Sequence, residues 1–163
     1  IEGRYPEETM KVITGADAII LVFPLFVYCL PGALMRLLED YYEYSKTLRL
    51  NDKDVRVYVI VNCGFYDPQI NEEAIRVIQN FCKRLGLNWR FAVSLGCGPV
   101  SVMALKLPLI NRKINKAFNQ IAKDLKNDDI GIKDIIMIKP FIPKPILIFI
   151  RENFIRKKTV KEN

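Results

Sequence analysis

The sequence predicts an α/β domain in which helices cover an open parallel sheet. Two observations support this prediction. Segments with strand and helix character alternate along the 163 residues, and the first strand, 18–23, is an unbroken apolar run. Alternation indicates βαβ units with right-handed crossovers, and a strand without polar residues is typical of one covered on both faces. We expect three strands, at 18–23, 55–61 and 89–95.

The first half of the chain carries clear start and stop signals. A short helix is predicted from Pro6 to Thr14, with acidic residues in its first turn and Gly15 after it. Pro24 ends the first strand, and Pro31 begins a helix that reaches about Lys46. Its apolar positions repeat every three or four residues, so one face is inward: Leu34, Leu37, Leu38, Tyr41 and Tyr42.

The second half continues the alternation. Strand 55–61 is rich in β-branched residues, and Asn71 is a predicted N-cap for a helix that ends at Gly86. In 89–95, apolar and other residues alternate with period two, which predicts a strand near a sheet edge with Arg90 on the less buried side. A last helix runs from Pro108 to about Asn127. Its predicted inward positions are Ile110, Ile114, Ala117, Phe118, Ile121 and Leu125.

Charge divides the chain into two parts. Residues 1–100 hold 11 basic and 12 acidic residues, whereas 101–163 hold 14 and 6. We expect a partial α/β domain over 1–127 and a basic, proline-containing extension over 128–163, with a short basic helix near 146–158. A basic tail is able to contact phosphate, nucleic acid or an anionic membrane, but an ordinary solvated surface is the favoured interpretation.

The four cysteines predict a reduced, cytoplasmic protein without a metal site. They form no CxxC motif, and the chain has no histidine to complete a zinc site. No signal peptide is evident, and the apolar stretch 135–150 is interrupted by prolines and lysines. Residues 1–4 match a protease site used to remove tags, so we expect either a tag remnant or a chain that lacks its natural start.

Three loops follow the carboxyl ends of the predicted strands, where open parallel sheets bind ligands. They span Pro24–Leu30, Asn62–Tyr66 and Gly96–Gly98. Aromatic side chains in the first two suit a flat conjugated ligand, and the glycines allow close approach of backbone N–H groups. The alternative is that these aromatics cover the rim of the core, and residue types alone do not decide between the two.

The chain resembles the NAD(P)H-dependent FMN reductases, which are flavodoxin-like. The resemblance rests on Ala16–Gly32, and above all on the segment Phe23-Pro24-Leu25-Phe26-Val27-Tyr28-Cys29-Leu30-Pro31-Gly32. The spacing to Asn62-Cys63-Gly64 and Gly96-Cys97-Gly98 is also similar, and residues 143–158 resemble the basic extension of some members. The likeness covers most of the chain, but none of its motifs is an invariant catalytic signature.

The resemblance implies FMN as cofactor, NAD(P)H as co-substrate and a small-molecule electron acceptor that the sequence does not identify. The flavin carries the hydride chemistry, so no catalytic acid or base is assigned. The resemblance also implies a homo-oligomer, with no nucleic acid partner. The implied flavin neighbours are Pro24, Leu25, Phe26, Val27, Tyr28, Asn62, Cys63, Gly64, Phe65, Tyr66, Gly96, Cys97 and Gly98.

The chain departs from that family at its start. Members begin with a strand, a Ser/Thr-rich phosphate loop, a helix and a second strand, and none of these precedes Pro6. Without them 18–23 becomes an edge strand, although an uncharged apolar ladder at an edge favours aggregation. We therefore expect that the chain is a fragment, or that another chain covers this edge.

Three function classes remain open from the sequence: a flavin-dependent oxidoreductase, an electron-transfer flavodoxin, and a non-catalytic module without cofactor. The basic charge disfavours a flavodoxin, while the missing phosphate loop makes the third class credible. Cys29, Cys63 and Cys97 each follow a strand end, and we interpret them as small apolar fillers. The apolar and basic tail is expected to contact a dimer partner rather than an anionic membrane.

Overall fold

The computed structural model describes residues 4–47, 54–97, 108–127 and 135–139, together with 145 and 148. Helices and strands alternate along these ranges. A 3-10 turn, Pro68–Asn71, precedes the third helix. The elements are α1 (Glu7–Gly15), β1 (Ala18–Pro24), α2 (Gly32–Thr47), β2 (Arg56–Asn62), α3 (Glu72–Leu85), β3 (Asn88–Leu95), α4 (Pro108–Asn127) and β4 (Ile135–Ile138).

The described strands form one open, all-parallel sheet in the order β1-β2-β3-β4. This confirms the predicted flavodoxin-like α/β fold and the position of β1 at an edge. The number of strands differs from the prediction, because Ile135–Ile138 pairs with Ala92–Leu95. The predicted helix over 146–158 lies outside the described residues, apart from Ile148.

Three helices cover one side of the sheet, which we call the three-helix face. Odd-numbered residues of β1 and β2 point into it, and α3 contributes Ile75 and Ile78, which are fully buried. α3 starts with Glu72 and Glu73 and ends at Gly86, whose φ of 68° provides a left-handed C-cap. This face therefore holds the larger apolar core. Its buried members are Phe23, Leu30, Leu38, Val57, Val59, Val61, Ala74, Ile75, Ile78, Cys82 and Ala92.

A β-bulge in β3 changes which residues face which side. The register shifts between Val57, which pairs with Trp89, and Tyr58, which pairs with Phe91, so Arg90 is the extra residue. Trp89 therefore packs on the three-helix face, whereas Phe91 packs on the other. The predicted alternation is wrong at this point, and so is the predicted edge position, because β4 covers the far side of β3. Arg90 is buried rather than exposed.

α4 covers the opposite side of the sheet, which we call the one-helix face. Ile114, Ala117 and Ile121 pack there against a core that includes Tyr58 and Phe91. Phe118, predicted to point inward, is instead 43% exposed, because it lies on the flank of α4 rather than on its buried stripe. Among the described helices, α4 alone packs on this second apolar core.

A buried polar network attaches the end of α4 to the sheet. The Arg90 guanidinium donates from Nε to Asp124 Oδ2 over 2.7 Å and from Nη2 to Asp124 Oδ1, while the Tyr58 hydroxyl donates to Oδ2 over 2.6 Å. Arg56 Nη1 donates to the carbonyl oxygens of Asp124 and Leu125. All three side chains of the central triad are buried, so the network fixes where α4 lies on the sheet.

This network makes stability depend on pH at both extremes. The Arg90 hydrogen bond, with smaller help from Tyr58, lowers the pKa of Asp124 below its ordinary 3.8, so the carboxylate's contribution is present above that pH and is lost as pH falls. Burial, followed by the bond to Asp124, raises the pKa of Tyr58 from 10.0 to about 12. Tyr58 therefore contributes fully below pH 10, and this contribution is lost as pH rises toward 12.

We expect the free energy of unfolding, measured by urea titration across pH, to fall at both ends of the range. Tyr58→Phe should remove the part of the alkaline decrease that arises between pH 10 and 12, while leaving the acid decrease in place. The matched control is Tyr42→Phe, a half-buried tyrosine of α2 outside the network. Equal alkaline curves for the native chain and Tyr58→Phe would contradict this assignment.

The crossovers do not all have the same hand. α2 and α3 lie on the three-helix face and α4 on the one-helix face, yet β1, β2, β3 and β4 follow one another in a single direction. The β3–α4–β4 connection therefore has the opposite hand from the two before it, and uniform right-handed crossovers are a wrong expectation here. β2 already occupies the other side of β3, so only the outer edge is open to β4.

None of the described helices combines the length and the apolar composition that a membrane-spanning helix needs. α4, the longest of them, carries basic residues along its exposed side.

Candidate functional site

The loops after β1, β2 and β3 meet at the carboxyl edge of the sheet, as predicted. Leu25 N–H donates to Asn62 O over 2.7 Å, Cys63 N–H donates to Leu95 O over 3.0 Å, and Cys97 N–H donates to Phe65 O over 2.6 Å. These backbone bonds link each loop to the next and continue the hydrogen bonding of the sheet beyond the ends of the strands. The predicted site residues from Pro24 to Cys97 are thus brought together, while Gly98 lies outside the described residues.

The first loop is a tight two-residue turn. Phe26 and Cys29 exchange two backbone hydrogen bonds of 2.9 Å, and Val27 and Tyr28 between them have φ values of 47° and 59°. This is the geometry of a type I′ turn, which glycine and asparagine usually provide. A β-branched residue such as Val27 is strained in the left-handed region, and such strain concentrates at ligand sites and switches.

Exposed aromatic side chains gather at this edge. Phe26 and Tyr28 are 64% and 60% exposed, and Phe65 from the second loop is 44% exposed. The rings of Tyr28 and Phe65 stack with centroids 5.4 Å apart and an interplanar angle of 26°. Three of the four aromatic side chains in these loops therefore face solvent, whereas the fourth, Tyr66, is half-buried. We call Phe26, Val27, Tyr28 and Phe65 the aromatic rim.

Backbone donors lie beside the aromatic rim. Within the described part of the chain, the N–H groups of Gly64 and Phe65 donate to no protein acceptor. Both residues are exposed, so these N–H groups are available to a ligand.

Gly96 allows the second and third loops to approach each other. A Cβ atom at Gly96 would lie 2.4 Å from the carbonyl oxygen of Tyr66, which is closer than any stable contact. Gly96 N–H also donates to Ile138 O over 3.1 Å, so this residue joins the site to β4. The sequence identified Gly96 as a site residue because a glycine lets backbone N–H groups approach a ligand, whereas the structure bonds this N–H to Ile138 and gives the glycine a packing reason.

Asn71 and Ser94 support the site from below, and sequence reasoning missed both roles. Asn71, predicted as a helix N-cap, makes no capping bond; its Nδ2 donates to Ser94 Oγ over 2.9 Å and to Leu95 O over 3.3 Å. The Ser94 hydroxyl donates to Pro68 O over 2.7 Å. Both side chains are fully buried and fix the second loop to the end of β3. An asparagine before a helix gave no signal for this long-range role.

Three cysteines lie at this edge, and two of them are buried. Cys63 and Cys97 are buried, and burial raises the pKa of each thiol, so neither is a thiolate at neutral pH. Cys29 is half-buried in the tight turn. Across the described ranges, no group of three or more His, Cys, Asp or Glu side chains is arranged to hold a metal ion.

One charged pair borders the site. Asp67 Oδ1 accepts from Gln69 N–H over 3.2 Å, which caps the 3-10 turn, and lies 3.5 Å from Lys139 Nζ just after β4. Both side chains are partly exposed, so the pair contributes little to stability. Lys139 nevertheless adds a positive charge to the same edge as the aromatic rim.

Comparisons of the chain with family models, curated proteins and solved structures found no match.

Proposed function

We propose that the carboxyl-edge loops bind the isoalloxazine ring of FMN and that the protein is a flavin-dependent oxidoreductase. One observation carries the proposal: within the described residues, an exposed aromatic surface and backbone N–H donors without a protein acceptor lie side by side where open parallel sheets bind ligands. NAD(P)H would be the hydride donor and a small molecule the acceptor.

The described residues fit the flat ring of the cofactor. One ring of the stacked Tyr28–Phe65 pair would pack against the face of the flavin, and the N–H groups of Gly64 and Phe65 would donate to acceptors on its edge. Asn71 and Ser94 would keep the second loop in position during binding. Bound FMN supplies hydride and electron transfer, and the chain's own residues orient the ring and limit water on one side.

The first test is a fluorescence titration of FMN and of lumiflavin, which is the ring without ribityl phosphate. We expect both to be quenched by the protein, because the proposed contacts are made to the ring. Tyr28→Ala combined with Phe65→Ala should weaken binding by about tenfold or more, since stacking on aromatics is worth roughly 1 kcal/mol per ring.

The matched control is Val12→Ala, which removes another exposed apolar side chain, 73% exposed on α1 and outside the three loops. If the Tyr28→Ala/Phe65→Ala variant and the Val12→Ala control bound lumiflavin with equal affinity, the proposed site would be contradicted. If the ring binds, bleaching of the flavin band by NADH or NADPH separates a reductase from an electron carrier. A protein that binds neither FMN nor lumiflavin would favour a module without cofactor.

A further inference from the structure

An apolar cavity lies on the three-helix face, between the sheet and the helices α1, α2 and α3. Its volume is about 140 Å³, and its lining comes from all three helices, from β1 and β2 and from the loop after α3. Ile19 and Val57, which are register partners near the starts of β1 and β2, line its sheet side. The cavity therefore lies over the amino half of the sheet, away from the three loops at the carboxyl edge.

The wall of this cavity is apolar and uncharged. Aliphatic side chains make up most of it, and Tyr41 and Phe81, whose ring centroids are 6.2 Å apart, add two aromatic rings. Cys82 also lines the cavity, and burial raises the pKa of its thiol to about 12, so the sulfur is uncharged at neutral pH. The described lining residues offer no polar surface to the cavity. Water is therefore a poor occupant, because a buried water molecule needs several polar partners.

The Tyr41 hydroxyl is a second sign that the helices pack incompletely at this place. Tyr41 is 2% exposed, and its hydroxyl makes no hydrogen bond within the described part of the chain. The hydroxyl of Thr14, close by at the end of α1, donates instead to Met10 O over 2.8 Å. Buried polar groups are normally paired. α1 and α2 thus leave a hydroxyl without a partner next to a space without atoms.

The size of the cavity selects one class of occupant. Apolar cavities of roughly 150 Å³ stay dry and bind benzene or xenon. A single six-membered ring therefore fits, whereas the three fused rings of a flavin do not.

The cavity lies close to the protein surface on its α1 side. Ile13 of α1 and Leu37 of α2 both line it and are only half-buried. Met10 is the buried residue of α1, so few contacts hold this helix on the domain. Elements with few buried apolar contacts open locally at low cost in free energy. A small displacement of α1 therefore suffices to admit a ligand.

We propose that this cavity is a binding site for a small, uncharged apolar molecule of the size of a single ring. Burial of the ligand's apolar surface drives binding, and the lining residues select the ligand by shape rather than by hydrogen bonds. An occupant also restores the packing contacts that the wall lacks, so binding stabilises the folded chain. The site is independent of the proposed flavin site, because no described residue of the three loops lines the cavity.

The test is a titration of the full chain with benzene and, separately, with xenon, followed by two-dimensional amide NMR and by thermal unfolding. We expect saturable shift changes at lining residues such as Ile13, Tyr41 and Cys82, and a melting temperature that rises with ligand concentration. Lumiflavin, which is too large for the cavity, should leave the amides of these residues unchanged.

Variants of Cys82 test whether benzene occupies this space. Cys82→Phe places a ring in the cavity and should weaken benzene binding by about tenfold or more, because two rings cannot share the volume. Cys82→Leu occupies part of the same space and serves if the phenylalanine variant does not fold. The matched control is Val12→Phe, which adds the same ring at a position of α1 that is 73% exposed, and it should bind benzene like the native chain.

Three results would overturn the proposal. The first is no saturable binding of benzene or xenon by the native chain. The second is equal benzene affinity in the native chain and in a folded Cys82 variant. The third is a set of benzene-induced shifts confined to the aromatic rim, which would place benzene at the carboxyl edge instead.

Discussion

Replacing Asp124 with asparagine is expected to lower the free energy of unfolding by about 3–5 kcal/mol, because it removes the carboxylate that pairs with the buried Arg90 guanidinium. Arg90 and Asp124 are only 6% and 3% exposed, so water cannot replace the lost partner. The Tyr58 hydroxyl also loses its charged acceptor. Urea unfolding followed by circular dichroism measures the change.

Two further variants separate the ion pair from the packing around it. In Arg90→Met with Asp124→Leu both charges are absent, so we expect this double variant to regain most of the lost stability. Glu73→Gln breaks the exposed Glu73–Arg76 pair and should cost no more than about 0.5 kcal/mol. A loss below 1 kcal/mol for Asp124→Asn would show that the network does not fix α4.

Replacing Gly96 with alanine is expected to disrupt the candidate site and to destabilise the fold. The added methyl group would lie 2.4 Å from Tyr66 O, which is a backbone atom, so the second loop must move. The movement would also strain the bonds from Gly96 to Ile138 and from Cys97 to Phe65. We expect a cost of about 1–3 kcal/mol, as for other overpacked positions, and at least tenfold weaker lumiflavin binding.

Gly64→Ala is the matched control for stability at the same edge. A Cβ atom there meets nothing within 4 Å, and the residue has no left-handed φ, so unfolding should change by less than about 0.5 kcal/mol. If Gly96→Ala and Gly64→Ala were equally stable, the close approach of the two loops would not be a determinant of the fold.

The parts of the fold that follow from local periodicity could be predicted. Strand 18–23, the helices after Pro31 and Asn71, and the helix from Pro108 to Asn127 were each indicated by apolar spacing and by residues that start or stop an element. Gly86 is a clear example, since its left-handed φ is the reason for a glycine there. The meeting of three loops at the carboxyl edge followed from the parallel sheet itself.

The parts that depend on long-range pairing could not be predicted. Ile135–Ile138 is short and lies in a proline-containing region, so nothing local distinguishes it as a strand. The bulge at Arg90 places Trp89 and Phe91 on opposite faces of the sheet, and no glycine or proline in the sequence marks it. The bulge also buries Arg90, which bonds to Asp124, 34 residues away. Phe118 fits the helical apolar pattern, yet it is 43% exposed.

The stacking of Tyr28 on Phe65 was also beyond local patterns. The sequence placed both residues in loops but left open whether they cover the core or face a ligand. Their exposure follows from the tight turn at Val27 and Tyr28, whose left-handed geometry no sequence rule assigns to those residue types. The supporting role of Asn71 likewise depends on Ser94, which is 23 residues away.

The most direct measurement of the central claim is a two-dimensional amide NMR titration of the isotope-labelled full chain with lumiflavin. The account predicts saturable shift changes at Phe26, Val27, Tyr28, Gly64, Phe65 and Cys97, with the largest effects on the free N–H groups of Gly64 and Phe65. Residues of α3 and of the outer surface of α4 should not move. Absence of shifts at the three loops, or shifts confined to another surface, would contradict a flavin site at this edge.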